Sequence, residues 1–266
     1  MQQDLTPPIA IGQLLEIARF AAIHAGKAIM EVYLSGNFNK TIKADNSPLT
    51  LADKAAHEVI INHLHHTNLP ILSEEGFHAD YTSRKNWEWY WMVDPLDGTK
   101  EFLKRNGEFT VNIALMRKTT PVAGVIYAPV LDTLYFGAAG TGVFKEENGK
   151  TRSLEPLKLS IKIEALLLRP EVTVIASRSH LTPETIKFTE QFRKVEFTTM
   201  GSSLKFMLLA ENKADIYPRY APTMEWDSAA AHAILRALNR GVYHTDLQSE
   251  LVYNKEDLLN PSFIAF

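Results

Sequence analysis

Apolar residues recur along the chain with two different periods, and the changes from one to the other mark out its elements. From Leu14 the series Leu14, Ala18, Ala21, Ala25, Ala28, Val32 advances in steps of four and three. That spacing predicts a helix over about 9–34 with one buried face. In KADNSPLTLADKAAHEVIINHL, residues Ala52, Ala55, Val59 and Leu64 share a face, and Ser47-Pro48 reads as a cap followed by a first-turn residue; a second helix is predicted at about 48–65. Two short apolar runs, Pro70 to Leu72 and Trp89 to Val93, stop abruptly at acidic residues, as strands do when they deliver carboxylates to a site at their ends.

Between Phe109 and Phe144 three β-rich runs are separated by turn chemistry at Lys118 to Pro121 and Pro129 to Asp132, which predicts an antiparallel meander. The polar stretch EENGKTRSLEP at 146–156 combines charge, Gly and Pro without apolar periodicity and is the best candidate boundary. Beyond it the pattern alternates: a strand at 172–176, helices at 183–193 and 202–211, a short strand at 215–217 and a helix at 226–239. Two parts are therefore expected, an α+β part at 1–150 and an α/β part at 151–266.

Composition narrows the function. The 266 residues are 45% hydrophobic and 22% charged, an ordinary globular balance. Lysine and arginine number 28 against 31 acidic residues, a net charge of −3, so no strong field draws in a nucleic-acid polymer or anionic lipid. The absence of cysteine excludes disulfides, thiolate metal sites and cysteine nucleophiles. The amino terminus lacks signal-peptide features and no run approaches the roughly 18 apolar residues of a membrane span. A cytoplasmic protein is expected, with weak peripheral attachment to the inner face of the cytoplasmic membrane left undecided, as is the oligomeric state.

Candidate chemistry concentrates in Asp94-Pro95-Leu96-Asp97-Gly98-Thr99. Pro95 fixes φ and Gly98 permits an unusual turn, so the two carboxylates can converge beside the Leu96 carbonyl. Three hard oxygen donors suit Mg²⁺, Mn²⁺ or Ca²⁺, although Asp-Pro and Asp-Gly are also good turn residues in their own right. Glu74 and Glu75 end one short strand, and Trp226-Asp227 opens the helix containing AAAHAILRAL; a solvated turn and a simple helix cap are the plainer readings of these two. Four carboxylates around one phosphate make sense only with bound cations. The group His57, His63, His65 and His66 lacks acidic or Cys partners at zinc spacing and is read as a solvated helix end. Trp87, Trp89, Tyr90 and Trp91 read as core and sheet-edge aromatics rather than a base-stacking platform.

Glu74-Glu75, Asp94-Pro-Leu-Asp-Gly-Thr99 and Trp226-Asp227-Ser-Ala-Ala occur in the order and approximate spacing of the lithium-sensitive, magnesium-dependent inositol monophosphatase superfamily, which the chain resembles over nearly its whole length. Lys100-Glu101-Phe102, Lys43-Ala-Asp-Asn-Ser-Pro48, Lys104-Arg-Asn-Gly-Glu-Phe-Thr-Val-Asn-Ile113 and Gly201-Ser-Ser-Leu-Lys-Phe206 are similar to its 3′(2′),5′-bisphosphate nucleotidase branch. The resemblance implies a layered α-β-α-β-α sandwich of the sugar-phosphatase type. It also implies hydrolysis of the 3′-phosphate of adenosine 3′,5′-bisphosphate to AMP in connection with sulfate assimilation, with 3′-phosphoadenosine 5′-phosphosulfate as a further possible substrate. Two or three Mg²⁺ ions, replaceable by Mn²⁺, would be held by Glu74, Asp94, the Leu96 carbonyl, Asp97 and Asp227, with Glu75 supporting them. Asp53 and Thr99 resemble the pair that orients the attacking water. Substrate contacts are implied at Glu74, Leu96, Asp97, Gly98, Thr99 and Asp227, with Gly98 and Thr99 offering amides. His180 resembles a position near the nucleotide, and Ser202 and Lys205, at the start of a helix, are the choices for the second phosphate. Tyr217 and Arg219 read more simply as a core residue and a solvated charge. The alternatives are an inositol or sugar monophosphatase using the same metal site, against which Lys100-Glu101 argues, and a catalytically silent nucleotide-binding regulator, against which the intact acidic set with Asp53 and Thr99 argues.

Overall fold

The computed structural model describes every residue except 1–6, 8, 37, 39–40, 43–47, 77, 160–161 and 177–181. In chain order the elements are α1 (Ile11–Ser35), β1 (Thr41–Ile42), β2 (Pro48–Leu49), α2 (Leu51–Leu64), β3 (Ile71–Ser73), α3 (Tyr81–Arg84), β4 (Trp89–Asp97), α4 (Thr99–Lys104) and β5 (Thr110–Arg117). There follow β6 (Thr120–Ala128), β7 (Thr133–Ala138), β8 (Gly142–Glu147), β9 (Lys150–Leu154), α5 (Ile163–Leu167), β10 (Val172–Ala176), α6 (Pro183–Thr189) and β11 (Val195–Thr199). The chain closes with α7 (Leu204–Ala210), β12 (Tyr217–Arg219), α8 (Glu225–Ala237), β13 (Val242–His244) and β14 (Phe263–Ala265).

A seven-stranded sheet in the order β3-β4-β5-β6-β7-β8-β9 forms the centre. Only the β3–β4 pair is parallel; the antiparallel rest contains the predicted meander, extended by β4 on one side and by the β8–β9 hairpin on the other. Side chains along β4 alternate between the two faces: Trp89, Trp91 and Val93 pack with α1 and α2, while Tyr90 and Met92 pack with α7 and α8. The far side of α7 and α8 meets two smaller sheets, β10-β11 and β12-β14-β13, through Ile175, Tyr217, Val242 and Phe263. A third cluster seats α5 against β10 and β14, and α6 packs on β12. The layers run α-β-α-β-α, as the fold class expected. Helix α8 lies directly on β6, because Gly124 has no side chain; a Cβ there would sit 2.1 Å from the Ala230 carbonyl oxygen. Among the described residues no helix is long and apolar enough to cross a membrane.

Several boundaries move. Helix α2 starts at Leu51, with Thr50 as its cap, and Pro48 lies in β2 instead. The reason is the reciprocal capping box, in which Ala52 N donates to Thr50 Oγ1 at 3.1 Å and Thr50 N to Asp53 Oδ2 at 2.7 Å. Strand β4 runs on through the acidic motif to Asp97, with an irregular register between Asp94 and Asp97. Helix α6 stops at Thr189, α7 begins at Leu204, and β12 begins at Tyr217 rather than Asp215. The polar stretch at 146–156 begins as the β8–β9 hairpin, turning at Asn148-Gly149 with both residues at positive φ, and leaves the sheet after Leu154.

Candidate active site

The carboxylates come together just past β3, within β4 and in the first turn of α8. Glu74, Asp94 and Asp227 each place a carboxylate oxygen within 4.8 Å of the others. Asp94 is buried, and its Oδ1 accepts from Leu96 N at 3.0 Å, so the motif folds back on its own backbone. Asp227 stands third in α8 and its Oδ2 accepts from Met224 N at 2.8 Å, closing the first turn. Burial first, then the surrounding carboxylates Glu74, Asp97, Asp227 and Asp53, holds Asp94 well above the usual carboxylate range. Asp227 is raised in the same direction by burial and by Asp97, against the opposing Met224 hydrogen bond. A trio of carboxylates, Asp94 buried and Glu74 and Asp227 half-buried, offers oxygen ligands that fit a hard divalent cation.

Asp97 lies outside that trio. The irregular register of β4 turns it toward α7, where its Oδ2 accepts from Ser202 Oγ at 2.6 Å, Ser203 N at 2.7 Å and Asn112 Nδ2 at 3.4 Å. Thr110 Oγ1 backs this contact, 2.6 Å from Ser202 Oγ and 2.8 Å from Ser203 Oγ. Ser202, expected as a donor to an anion, thus directs its proton to Asp97. Gly98 then turns the chain at φ +92°, a conformation that a side chain resists; a Cβ would also lie 3.2 Å from Glu108 O and 3.3 Å from Ser202 Cβ.

Thr99 opens α4. Its hydroxyl lies 3.4 Å from Asp53 Oδ1 and 3.4 Å from the Leu96 carbonyl. Asp53 is buried, and its Oδ2 is already bound by Thr50 N and by Thr50 Oγ1 at 2.6 Å, which leaves Oδ1 directed at Thr99. The helix predicted to carry Asp53 therefore brings it to the predicted threonine.

A cavity of about 300 Å³ opens beside these groups. Its lining includes the carboxylates Asp97, Glu101 and Asp227 with Gly98 and Ser202, and Lys100, Lys104, Lys205 and Arg219 supply cations. Lys205 Nζ donates to Met200 O at 3.2 Å, and burial lowers its pKa against the pull of Asp97 and Glu101. Sequence alone predicts a core residue at Tyr217 and a solvated charge at Arg219. Tyr217 is indeed buried, its hydroxyl pushed up to about 12 chiefly by burial, yet both line the cavity, because β12 passes along its rim. His180 lies outside the described residues. Sequence reasoning also missed Thr110 and Asn112 as supports for Asp97. Their signal was two polar residues at i, i+2 on one face of an otherwise apolar strand. None of His57, His63, His65 and His66 belongs to the acidic trio, and the tryptophans at 89 and 91 are core, as read.

The Inositol monophosphatase family matches residues 11–265, and the chain belongs to that family. Within it, the chain is similar to the 3′(2′),5′-bisphosphate nucleotidase CysQ of Salmonella typhimurium, 45% identical over 94% of this chain and 97% of the relative. The CysQ of Escherichia coli K12 is 44% identical over 95% of this chain and 98% of its own. The crystal structure of CysQ from Bacteroides thetaiotaomicron superposes with a TM-score of 0.81 at 46% identity, covering 96% of this chain and 97% of the other.

Proposed function

We propose that the chain is a Mg²⁺-dependent phosphatase that hydrolyses the 3′-phosphate of adenosine 3′,5′-bisphosphate to give AMP and phosphate. The observation that carries this reading is a cavity beside the acidic trio whose lining holds carboxylates, Asp97 and Asp227 among them, and four cations, Lys100, Lys104, Lys205 and Arg219, groups that suit a substrate with two phosphates. Full-length similarity to nucleotidases supports it. Glu74, Asp94 and Asp227, with Asp97 and the Leu96 carbonyl at their border, would hold the cations. Bound divalent ions would neutralise the charge that develops on the phosphate and polarise it. Asp53 holds the Thr99 hydroxyl, leaving the threonine oxygen to accept a hydrogen bond from the attacking water and Asp53 to take up its proton. Asp97 is held in place for its task by donors from Ser202, Ser203 and Asn112. Lys205 and Arg219, with Lys100 and Lys104, bind the second phosphate. On this reading residues 1–150 supply the acidic loop, the water-orienting pair, Lys100 and Lys104, and 151–266 supply Asp227, Lys205 and Arg219.

The test is phosphate release from adenosine 3′,5′-bisphosphate, 3′-phosphoadenosine 5′-phosphosulfate and inositol 1-phosphate, with and without chelator. Donors left unpaired by a one-phosphate substrate should make the bisphosphate better in kcat/KM by at least about 10²-fold. Lys205→Met, which keeps the apolar stem, should shrink that ratio. Equal efficiency on inositol 1-phosphate would replace the nucleotidase reading with the sugar-phosphatase one, and full turnover in chelator would end the metal mechanism.

A further inference from the structure

Ser73 is buried at the end of β3, and the segments that carry the site meet on it. Its hydroxyl lies 2.9 Å from His57 Nδ1, and His57 stands one helical turn after Asp53 on the same face of α2. Its carbonyl is 2.8 Å from His78 Nε2 and accepts from Gly76 N at 3.0 Å. A carbonyl can only accept, so His78 carries its proton on Nε2 in this contact. The His78 ring leans on the Trp226 ring, with centroids 5.4 Å apart at 52°. Glu74 N in turn donates to the Val93 carbonyl at 3.1 Å. Each carboxylate of the trio is therefore one residue from a member of this set: Glu74 follows Ser73, Asp94 follows Val93, and Asp227 follows Trp226. Gly76 leaves room for the arrangement, since a Cβ there would lie 3.3 Å from His57 Cε1.

We propose that His57 and His78 are positioning residues that grip Ser73 from two sides and so set the separation of Glu74, Asp94 and Asp227 for a divalent cation. The proposal rests on the metal reading given above. Three carboxylates within 4.8 Å repel one another when no cation is bound, and two imidazoles acting through hydrogen bonds oppose that spreading without touching the cation. Outer partners of this kind typically set metal affinity by 10–100-fold.

The test is Mn²⁺ binding to the full chain freed of metal, followed by the paramagnetic resonance of the free ion, with melting temperature recorded alongside. Ser73→Ala, His57→Ala and His78→Phe should each raise the Mn²⁺ Kd by about 10-fold or more. His57→Asn and His78→Gln, which return a polar nitrogen near Nδ1 and Nε2, should recover most of that loss. Should Ser73→Ala fail to fold, His78→Phe decides, because it keeps the ring against Trp226 and removes only the donor. Unchanged Mn²⁺ affinity in the truncating variants, with a wild type that binds, overturns the clamp and leaves the metal site standing. A Kd that rises only as the melting temperature falls, with no recovery in the conservative variants, shows a merely structural role and overturns it too. A wild type whose Mn²⁺ binding survives Asp94→Asn and Asp227→Asn overturns the metal reading and the clamp together.

Discussion

Helices α2 and α8 start at the site with the same local device, an aspartate in the third helical position whose Oδ2 accepts the backbone N–H of the capping residue. Their surroundings then separate them. Asp53 faces a neutral hydroxyl, that of Thr99, whereas Asp227 faces Glu74 and Asp94. A carboxylate beside a hydroxyl is arranged to manage a proton; a carboxylate among carboxylates is arranged for a cation. The cap explains where each side chain is, and the neighbours explain what it can do.

The largest effect should come from breaking the cation side. Asp227→Asn keeps the cap contact through its amide oxygen but removes charge, and should lower kcat/KM by about 10⁴-fold, the scale of several kcal/mol supplied by a bound cation. An activity within tenfold of wild type in a phosphate-release assay would show that Asp227 is only a cap. On the proton side, Asp53→Asn and Thr99→Ala should each lower kcat by roughly 10²–10⁴ with little change in KM. The double variant should be hardly worse than either, and additive losses would show that the two do not act as a unit.

Two smaller effects sharpen the contrast in stability. Burial and like charge raise Asp94 and Asp227 in the metal-free protein, so the folded chain still holds protons that the unfolded chain has released once pH passes about 4. Metal-free stability should therefore fall as pH rises through that window. Asp94→Asn should flatten the slope in pH-dependent melting, and saturating Mg²⁺ should do the same. Thr50→Ala removes the Asp53 hydroxyl partner and the acceptor for Ala52 N, and should cost about 1 kcal/mol in denaturant unfolding. No comparable loss is expected at the α8 start, where the cap residue makes no side-chain hydrogen bond.

The long amphipathic helices, the meander and the acidic motifs were legible because each rests on a local period or on turn chemistry. Ser47-Pro48 offers the stronger local cap signal, and the reciprocal hydrogen bonds of Thr50 with Ala52 and Asp53 place the start of α2 later. The carboxylates of Glu74, Asp94 and Asp227 were each ambiguous alone; their convergence depends on a parallel β3–β4 pair and on α8 lying close over Gly124, which no single stretch of sequence states. Arg219 looked solvated because a lone arginine usually is, and only the path of β12 brings it to the cavity. Thr110 and Asn112 matter through partners some 90 residues away.

The grip of Ser202 and Ser203 on Asp97 has a consequence for how the molecule comes into being. The two serines are 105 and 106 residues from the aspartate along the chain, whereas the meander beside them is built almost entirely from neighbouring strands. Closing a loop of that length is entropically costly and is repaid only when α7 has docked. The central sheet can thus mature early, with the acidic loop still loosely held, and competence should arrive late and all at once. During synthesis Asp97 would lack its Ser202 and Ser203 donors until those residues emerge, and Asp227 would follow later still.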